Sequence, residues 1–358
     1  MLSRLEFLEV VSGRRRGAAA SICRAALACL EPAYRLAIAW RNRRYSRGSS
    51  AVYKVPVPVI SVGNITAGGT GKTPAVAWMA RWFRQKGVRV TLISRGYGAT
   101  AGACNDEALE LEQLLPDVPH LLNPDRVAAA MTAIEEFECQ LLILDDAFQH
   151  RRIHRDLDIV LIDALEPFGY GHLLPRGLLR EPASSLARAH VVALTRCDLA
   201  EAADKRRILD TVARFAPDAT VVELAHRPKS WMAWPDLQLP LNSLAGTPVI
   251  AFCGIGNPDG FRRTLHTLDC KVAGFRAFAD HHPYDRTDLE SLAEWARGLR
   301  AEAIVCTQKD LVKIQAPRLG DLPVYSLCGG IEVLTGRDGL ETRLSQLAAI
   351  ALSREPAV

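Results

Sequence analysis

The run Thr66-Ala67-Gly68-Gly69-Thr70-Gly71-Lys72-Thr73 constrains this chain more than any other. It follows a short apolar stretch, Val57 to Val62, and precedes Thr73 to Gln85, whose pattern predicts a helix ended by Gly87. Strand, glycine-rich turn and helix in that order make a phosphate-binding loop. Closely spaced glycines let successive backbone N–H groups turn inward on an anion, and the helix N-terminus adds partial positive charge. Lys72 is placed to reach the terminal phosphates of a nucleotide, and the Thr73 hydroxyl to hold Mg²⁺. Thr66 stands where the pattern usually begins with glycine, but the last four residues carry most of the mechanism.

Val88–Ser94, Leu141–Leu144, Ile159–Ile162 and Val191–Thr195 read as further strands. Asp106–Leu115 and Asp125–Phe137 read as helices, each opening on an acidic residue. The alternation predicts an α/β fold of the P-loop NTPase type, a parallel sheet with helices on both faces. Leu141-Leu142-Ile143-Leu144-Asp145-Asp146 has the shape of a Walker B strand. A parallel sheet brings strand tips together, so one of the two carboxylates can reach a metal at the loop. Gln149 and His150 follow directly, and Arg151, Arg152, His154 and Arg155 favour an anionic substrate there.

Other polar clusters also follow strands. In Ser94-Arg95-Gly96-Tyr97-Gly98, Tyr97 is suited to stack on a ring or to close over a ligand. Asp106 reads equally as a helix cap, and Arg180–Glu181 as a structural ion pair. Thr195-Arg196-Cys197-Asp198 departs from the base-reading element of GTPases at two positions, which argues against a committed GTPase. Asp280-His281-His282 suits either a proton relay, one histidine beside an acid, or an ordinary surface loop.

The organisation expected along the chain is an N-terminal helical segment over 1–50, a kinase-type domain over 51–215, a proline-punctuated linker or hairpin over 216–248, and a smaller α/β domain over 249–358. In the N-terminal segment, Ile22, Ala25, Ala26, Cys29 and Leu30 recur at helical spacing, and Pro32 is expected to break the helix before a second one carrying Tyr34, Ala37, Ile38 and Trp40. Arg14, Arg15 and Arg16 precede this block and Arg41, Arg43, Arg44 and Arg47 follow it, a pattern that suits either a helix lying in an anionic membrane interface or one packed on the domain. Charges at Arg24, Glu31 and Arg35 exclude a span, and Met1 to Val11 does not read as a cleavable leader. A net charge of +4 is too weak to argue for nucleic acid, and nine cysteines without a CxxC pair point to reduced thiols and not to zinc or a disulfide framework.

Taken together, these segments resemble the tetraacyldisaccharide 4'-kinase family, the lipid A 4'-kinases. The resemblance rests on Pro56 through Thr66 leading into Gly68-Gly69-Thr70-Gly71-Lys72-Thr73-Pro74, on Ser94-Arg95-Gly96-Tyr97-Gly98, Asp106-Glu107 and Asp125-Arg126-Val127-Ala128, on Asp145-Asp146-Ala147-Phe148-Gln149-His150, and on Leu174-Pro175-Arg176-Gly177, Leu179-Arg180-Glu181-Pro182 and Phe278-Ala279-Asp280-His281. It implies transfer of the ATP γ-phosphate to the 4'-hydroxyl of an acylated glucosamine disaccharide 1-phosphate, with Mg²⁺. It also implies two α/β domains with the active site in the cleft between them, and a peripheral seat on the cytoplasmic face of the inner membrane, with no nucleic acid or obligate protein partner. By the same resemblance, Asp106 takes the hydroxyl proton, assisted by His281, which directly follows Asp280 and is preferred to His282. Asp145, Asp146 and Glu181 join Thr73 around Mg²⁺, and Asn64, Tyr97, Arg126, Gln149, His150 and Arg180 contact substrate. Asn105 stands where the family often has glycine.

Overall fold

The computed structural model describes residues 4–96, 106–280 and 282–353, which fall into two compact units. The first is made of Met1–Arg95, Val118–Ala225 and Glu332–Val358, the second of Gly96–Asp117 and His226–Ile331.

In the first unit, helices α1 (Arg4–Val11) and α2 (Ala18–Ser46) precede β1 (Val59–Asn64), α3 (Lys72–Gln85) and β2 (Val90–Ser94). After helix α4 (Asp106–Leu114), which belongs to the second unit, come β3 (His120–Leu122), α5 (Arg126–Phe137), β4 (Leu141–Asp145), β5 (Leu157–Asp163), β6 (Val191–Thr195), α6 (Ala202–Phe215) and β7 (Thr220–Ala233). The strands run β6-β5-β1-β4-β2-β3, all parallel, with the first residues of β7 beside β6. Strands β1, β2, β4, β5 and β6 are buried along their whole length. Continuous apolar runs of this kind are what a sheet covered on both faces requires. On one face Phe148, Ile162 and Leu194 pack with Ile208 and Val212 of α6; on the other Ile93, Leu142 and Leu144 pack with Ala129, Ala130 and Ala133 of α5. Asp125 caps α5 by accepting from the Val127 and Ala128 N–H groups at 3.0 and 3.3 Å.

The second unit carries β8 (Leu237–Leu239), β9 (Pro248–Cys253), α7 (Pro258–Thr267), β10 (Lys271–Ala277), α8 (Arg286–Gly298), β11 (Ala303–Thr307), α9 (Gln308–Ile314), β12 (Arg318–Leu319) and most of β13 (Leu322–Thr335), whose residues from Glu332 onward belong to the first unit. Its parallel strands run β10-β9-β11-β13, and β8 closes an antiparallel hairpin with Trp231–Ala233. The last helix, α10 (Arg337–Leu352), belongs to the first unit, where Arg343 Nε donates to Thr220 Oγ1 at 2.8 Å.

Two expectations differ here. Much of the stretch read as a linker or hairpin is the 14-residue strand β7, which ends in the hairpin with β8, and the unit boundary falls inside it, between Ala225 and His226. Trp231, fully buried, drives this by seating in the second core and donating its indole N–H to the Leu241 carbonyl at 3.0 Å. The other difference is Pro32, which does not break the N-terminal helix: α2 is continuous over 29 residues. Pro32 and Ala28 are both exposed, so the carbonyl that loses its helical donor is left to water.

Helix α2 is amphipathic in the opposite sense to an ordinary surface helix. Ile22, Leu30, Leu36 and Trp40 are 70, 57, 70 and 63 % exposed, while Ala20, Glu31 and Ile38 are buried. At about 3.6 residues per turn Ile22 and Trp40 point the same way, with Leu30 and Leu36 to either side. The apolar face is turned outward and a face containing Glu31, Tyr34 and Arg41 is turned in. Among the described residues no helix is long and apolar enough to cross a membrane.

Gly63, one residue before the end of β1, has no room for a side chain: a Cβ there would lie 2.7 Å from the backbone N and the Cβ of Phe148. Gly63→Ala should therefore destabilise the fold by about 1–3 kcal/mol, the usual cost of overpacking. Urea denaturation checks this, and an unchanged midpoint would contradict the packing described.

Candidate active site

Strand β1 delivers the chain straight into the glycine loop. Gly71 adopts φ +79°, a left-handed conformation that glycine takes without strain, and α3 starts at the next residue, Lys72. No acidic residue occupies the first turn of α3, so its N-terminal N–H groups keep their full attraction for an anion. A Cβ at Gly68 or Gly69 would meet nothing within 4 Å, which leaves the loop backbone open to a ligand. The loop is held from behind. Asn64, fully buried, donates from Nδ2 to Thr70 Oγ1 at 3.0 Å, and Gln149 Nε2 donates to the Asn64 carbonyl at 2.8 Å. Thr195 Oγ1 donates to the Thr70 carbonyl at 3.1 Å, and Arg196 donates to the Gly69 carbonyl at 3.2 Å while pairing with Asp163 at 2.6 Å. The segment that fails as a base-reading element thus holds the phosphate loop.

The two carboxylates at the tip of β4 have different surroundings. Asp145 lies in register with Val62 of β1, next to the strand that feeds the loop. Its Oδ2 accepts from Ser94 Oγ at 3.4 Å, and Ser94 Oγ meets His120 Nε2 at 2.8 Å. Asp146 faces cations: one Arg180 guanidinium nitrogen reaches both of its oxygens at 2.9 Å, and Lys72 Nζ lies 3.6 Å from Oδ1. Burial opposes the charge on Asp146, but Lys72 and Arg180 outweigh it and hold the carboxyl below its ordinary range. Thr73, buried at the start of α3, adds a hydroxyl to this set of hard oxygen donors. Arg126 is buried and donates to the Asn123 carbonyl at 3.1 Å and to the Asp145 carbonyl at 3.5 Å.

The segment between residues 172 and 181 runs against the loop. The Ala67 N–H donates to the Leu178 carbonyl and the Arg180 N–H to the Ile65 carbonyl, both at 2.7 Å, with Thr66 and Leu179 paired antiparallel between them. Glu181, expected near the metal, meets two arginines. It is fully buried, one carboxylate oxygen pairs with Arg41 and the other with Arg188, the latter at 2.6 Å. Both of its oxygens are on guanidinium groups, so in this structure it anchors the segment to Arg41 and Arg188. Among the described residues no cluster of three or more His, Cys, Asp or Glu side chains could hold a metal. Mg²⁺ does not need one, since it commonly takes one or two carboxylates together with substrate phosphates.

In the second unit, Asp106 opens α4 and pairs with Lys313 of α9 at 2.8 Å; Glu107 lies 3.6 Å from Lys309. Burial pushes the neighbouring Glu110 carboxyl up to about 7, against the pull of Lys309. His282 Nε2 is bound to Asp288 Oδ2 at 2.7 Å and its ring stacks on Phe278 at 4.7 Å. Tyr97, Asn105 and His281 lie outside the described residues.

The comparisons with known proteins agree with one another. A family profile, LpxK, described as Tetraacyldisaccharide-1-P 4'-kinase, matches residues 23–348. The chain belongs to the tetraacyldisaccharide 4'-kinase family. It is 38 % identical over 375 aligned positions to the tetraacyldisaccharide 4'-kinase of Anaeromyxobacter sp. strain K, covering 98 % of each chain. To that of Geobacter sulfurreducens it is 37 % identical over 336 positions, covering 89 % of this chain and 92 % of the relative. Among solved structures it is similar to LpxK from Aquifex aeolicus, an "apo" form crystallised in complex with ATP, with a TM-score of 0.76 and 29 % identity over 91 % of this chain and 99 % of that one. Membership in the tetraacyldisaccharide 4'-kinase family makes this chain a kinase of lipid A biosynthesis.

Of the sequence-predicted residues in the first unit, the structure brings Asn64, the 66–73 loop, Arg126, Asp145, Asp146, Gln149 and Arg180 together in one hydrogen-bonded or ion-paired set. His150 sits beside it, its backbone carbonyl accepting from Arg155 at 2.7 Å. The sequence reading passed over Asp163 and His120, and weighed Thr195 only as part of a base-reading element. The signal available for them was a polar residue at or near the end of a strand of a parallel sheet.

Burial pushes His120 down to about 4 and, helped by Arg126, Arg152 and Arg155, pushes His150 down to about 4, against an ordinary 6.5. Both rings are neutral when folded and bind protons more readily once unfolded. Their contribution is therefore complete above about pH 6.5 and is lost as pH falls toward 4. Urea midpoints should drop through that window, and His150→Gln should flatten the drop. A slope unchanged in that variant would contradict the assignment.

Proposed function

We propose that this chain transfers the γ-phosphate of ATP to the 4'-hydroxyl of a tetraacyldisaccharide 1-phosphate. The observation that carries the reading is the meeting of Lys72, Arg180 and Asp146 beside an open glycine loop, in a chain of this family. The loop N–H groups and the start of α3 hold the phosphates, and Lys72 neutralises charge that develops on the transferred group. Arg180 is poised to leave Asp146 for a phosphate oxygen. Thr73 and Asp145 would hold Mg²⁺, with Asp146 adjoining, and the bound ion would offset phosphate charge. Asp145 is favoured for direct contact because it ends the strand beside β1, in register with Val62. The fit rests on the donor set, one hydroxyl and carboxylates at the tip of the strand next to β1.

A sugar hydroxyl is a weak nucleophile, so a carboxylate that takes its proton as the new P–O bond forms lowers the barrier. Asp106 is the proposed acceptor, with Lys313 holding its carboxylate in place and His281 assisting. Asn64, Tyr97, Arg126, Gln149, His150 and Arg180 are proposed as the substrate-binding set. The acceptor is a lipid, and α2 supplies the means to reach it. Its outward apolar face, with Arg43, Arg44 and Arg47 at its end, suits the cytoplasmic surface of an anionic inner membrane, on which the protein sits without crossing.

Incubation with γ-labelled ATP and a tetraacyl disaccharide 1-phosphate should place the label on the 4'-oxygen; ATP consumed at full rate without lipid, leaving the lipid unlabelled, would contradict the reading. Asp106→Asn should lower kcat by about 10²–10⁴ while ATP affinity stays near that of the wild type. Collapse of ATP binding in that variant would make Asp106 a structural or nucleotide-binding group instead.

A further inference from the structure

We propose that Arg41 is a positioning residue for phosphoryl transfer: through buried Glu181 it fixes the segment that braces the phosphate loop and presents Arg180. The proposal rests on the kinase reading above and assigns a role within that site to the N-terminal helix.

The chain of contacts is continuous. The inward face of α2 grips residues 173–181 at three points. Glu31 Oε1 accepts from the Leu173 N–H at 3.1 Å, Tyr34 donates its hydroxyl to the Arg180 carbonyl at 3.1 Å, and Arg41 pairs with Glu181. The gripped segment forms the short antiparallel ladder with Ile65–Ala67 of the phosphate loop. It also carries Arg180, whose guanidinium binds the Asp146 carboxylate beside Lys72. A shift of residues 179–181 therefore moves the loop backbone and one of its two cationic side chains together.

The electrostatics make Arg41 the critical link. Glu181 is fully buried, and a buried carboxylate is tolerated only when its charge is compensated. Arg41 and Arg188 each take one oxygen. Arg188 is fixed on its own side by stacking over Phe148, 4.2 Å from the ring centroid. Without Arg41, Glu181 is held from one side alone, and burial then favours a turn of the side chain toward Arg188 or toward water. Either movement pulls on the peptide that follows Arg180. Misplacement of this kind weakens transition-state contacts more than ground-state ones, because the transition state demands the tighter geometry.

The test uses the full-length protein in mixed micelles with ATP and a tetraacyl disaccharide 1-phosphate, at a temperature where circular dichroism shows each variant fully folded. Arg41→Ala should lower kcat by about ten-fold or more, the scale of a small misplacement, and should weaken ATP affinity by less. Arg41→Lys, which keeps the charge, should recover much of the loss. Tyr34→Phe removes one hydroxyl and no charge, so it folds even where Arg41→Ala does not, and it should lower kcat by about two- to five-fold, the worth of one hydrogen bond. In Arg41→Ala combined with Glu181→Gln the losses should fall short of their product, since both act on one contact. Folded Arg41→Ala and Tyr34→Phe with wild-type kcat would overturn the proposal, as would losses that multiply in the double variant. If the wild type leaves the lipid unlabelled, the functional reading fails by itself. The Arg41 proposal is then judged on ATP affinity, which Arg41→Ala must weaken and Arg41→Lys must restore.

Discussion

Positive charge gathered around a glycine loop is the constraint on which the rest of the first unit depends. Lys72, Arg180 and the N-terminal N–H groups of α3 converge on one place, and in the absence of an anion something must balance them. Asp146 does so, held ionised by the same cations against the cost of its burial. A polyphosphate offers those cations a stronger partner, and the arrangement is then ready to release Arg180 to it. On the proposed reading, binding and readiness for catalysis both follow from this one local balance of charge.

That balance needs fixed geometry, and the fold supplies it from several directions. The parallel register places Asp145 level with Val62. Asn64, Thr195 and Arg196 hold the loop from the neighbouring strand tips. The 178–180 segment closes the remaining side with backbone hydrogen bonds. Helix α2 stands behind that segment and has two duties on opposite faces: a polar face that grips the site and an apolar face left outward. Its single buried acid, Glu31, is stabilised by Arg35, the Leu173 N–H and His172, which together outweigh the penalty of burial and keep the carboxyl below its ordinary range.

The central strands and the glycine loop were legible in the sequence because local pattern and tertiary role coincide there. An apolar run buried on both faces has one use, and Gly-Lys-Thr at the start of a helix has very few. The Asp145-Asp146 pair was legible for the same reason. Glu181 was not, because its role depends on Arg41, which approaches from a helix 140 positions earlier; the resemblance placed it at a metal and the structure places it between two arginines. Pro32 misled for the converse reason: a local rule predicted a break, while the cost of the lost donor was relieved by exposure. Strand β7 was hidden by Pro228 within it and by Pro217 and Pro235 on either side, while Trp231 buries itself in a core distant in sequence. Glu31, a lone acid on a largely apolar helix, was the one visible sign that α2 holds something.

The central claim is that the glycine loop and Lys72 act on the transferred phosphate. Single-turnover transfer from saturating ATP to the glycolipid, compared between wild type and Lys72→Ala, tests it most directly. The account predicts a loss of at least about 10²–10³ in rate, the scale of removing one preorganised charge contact in the transition state. Transfer at near wild-type rate in a folded Lys72→Ala protein would contradict it.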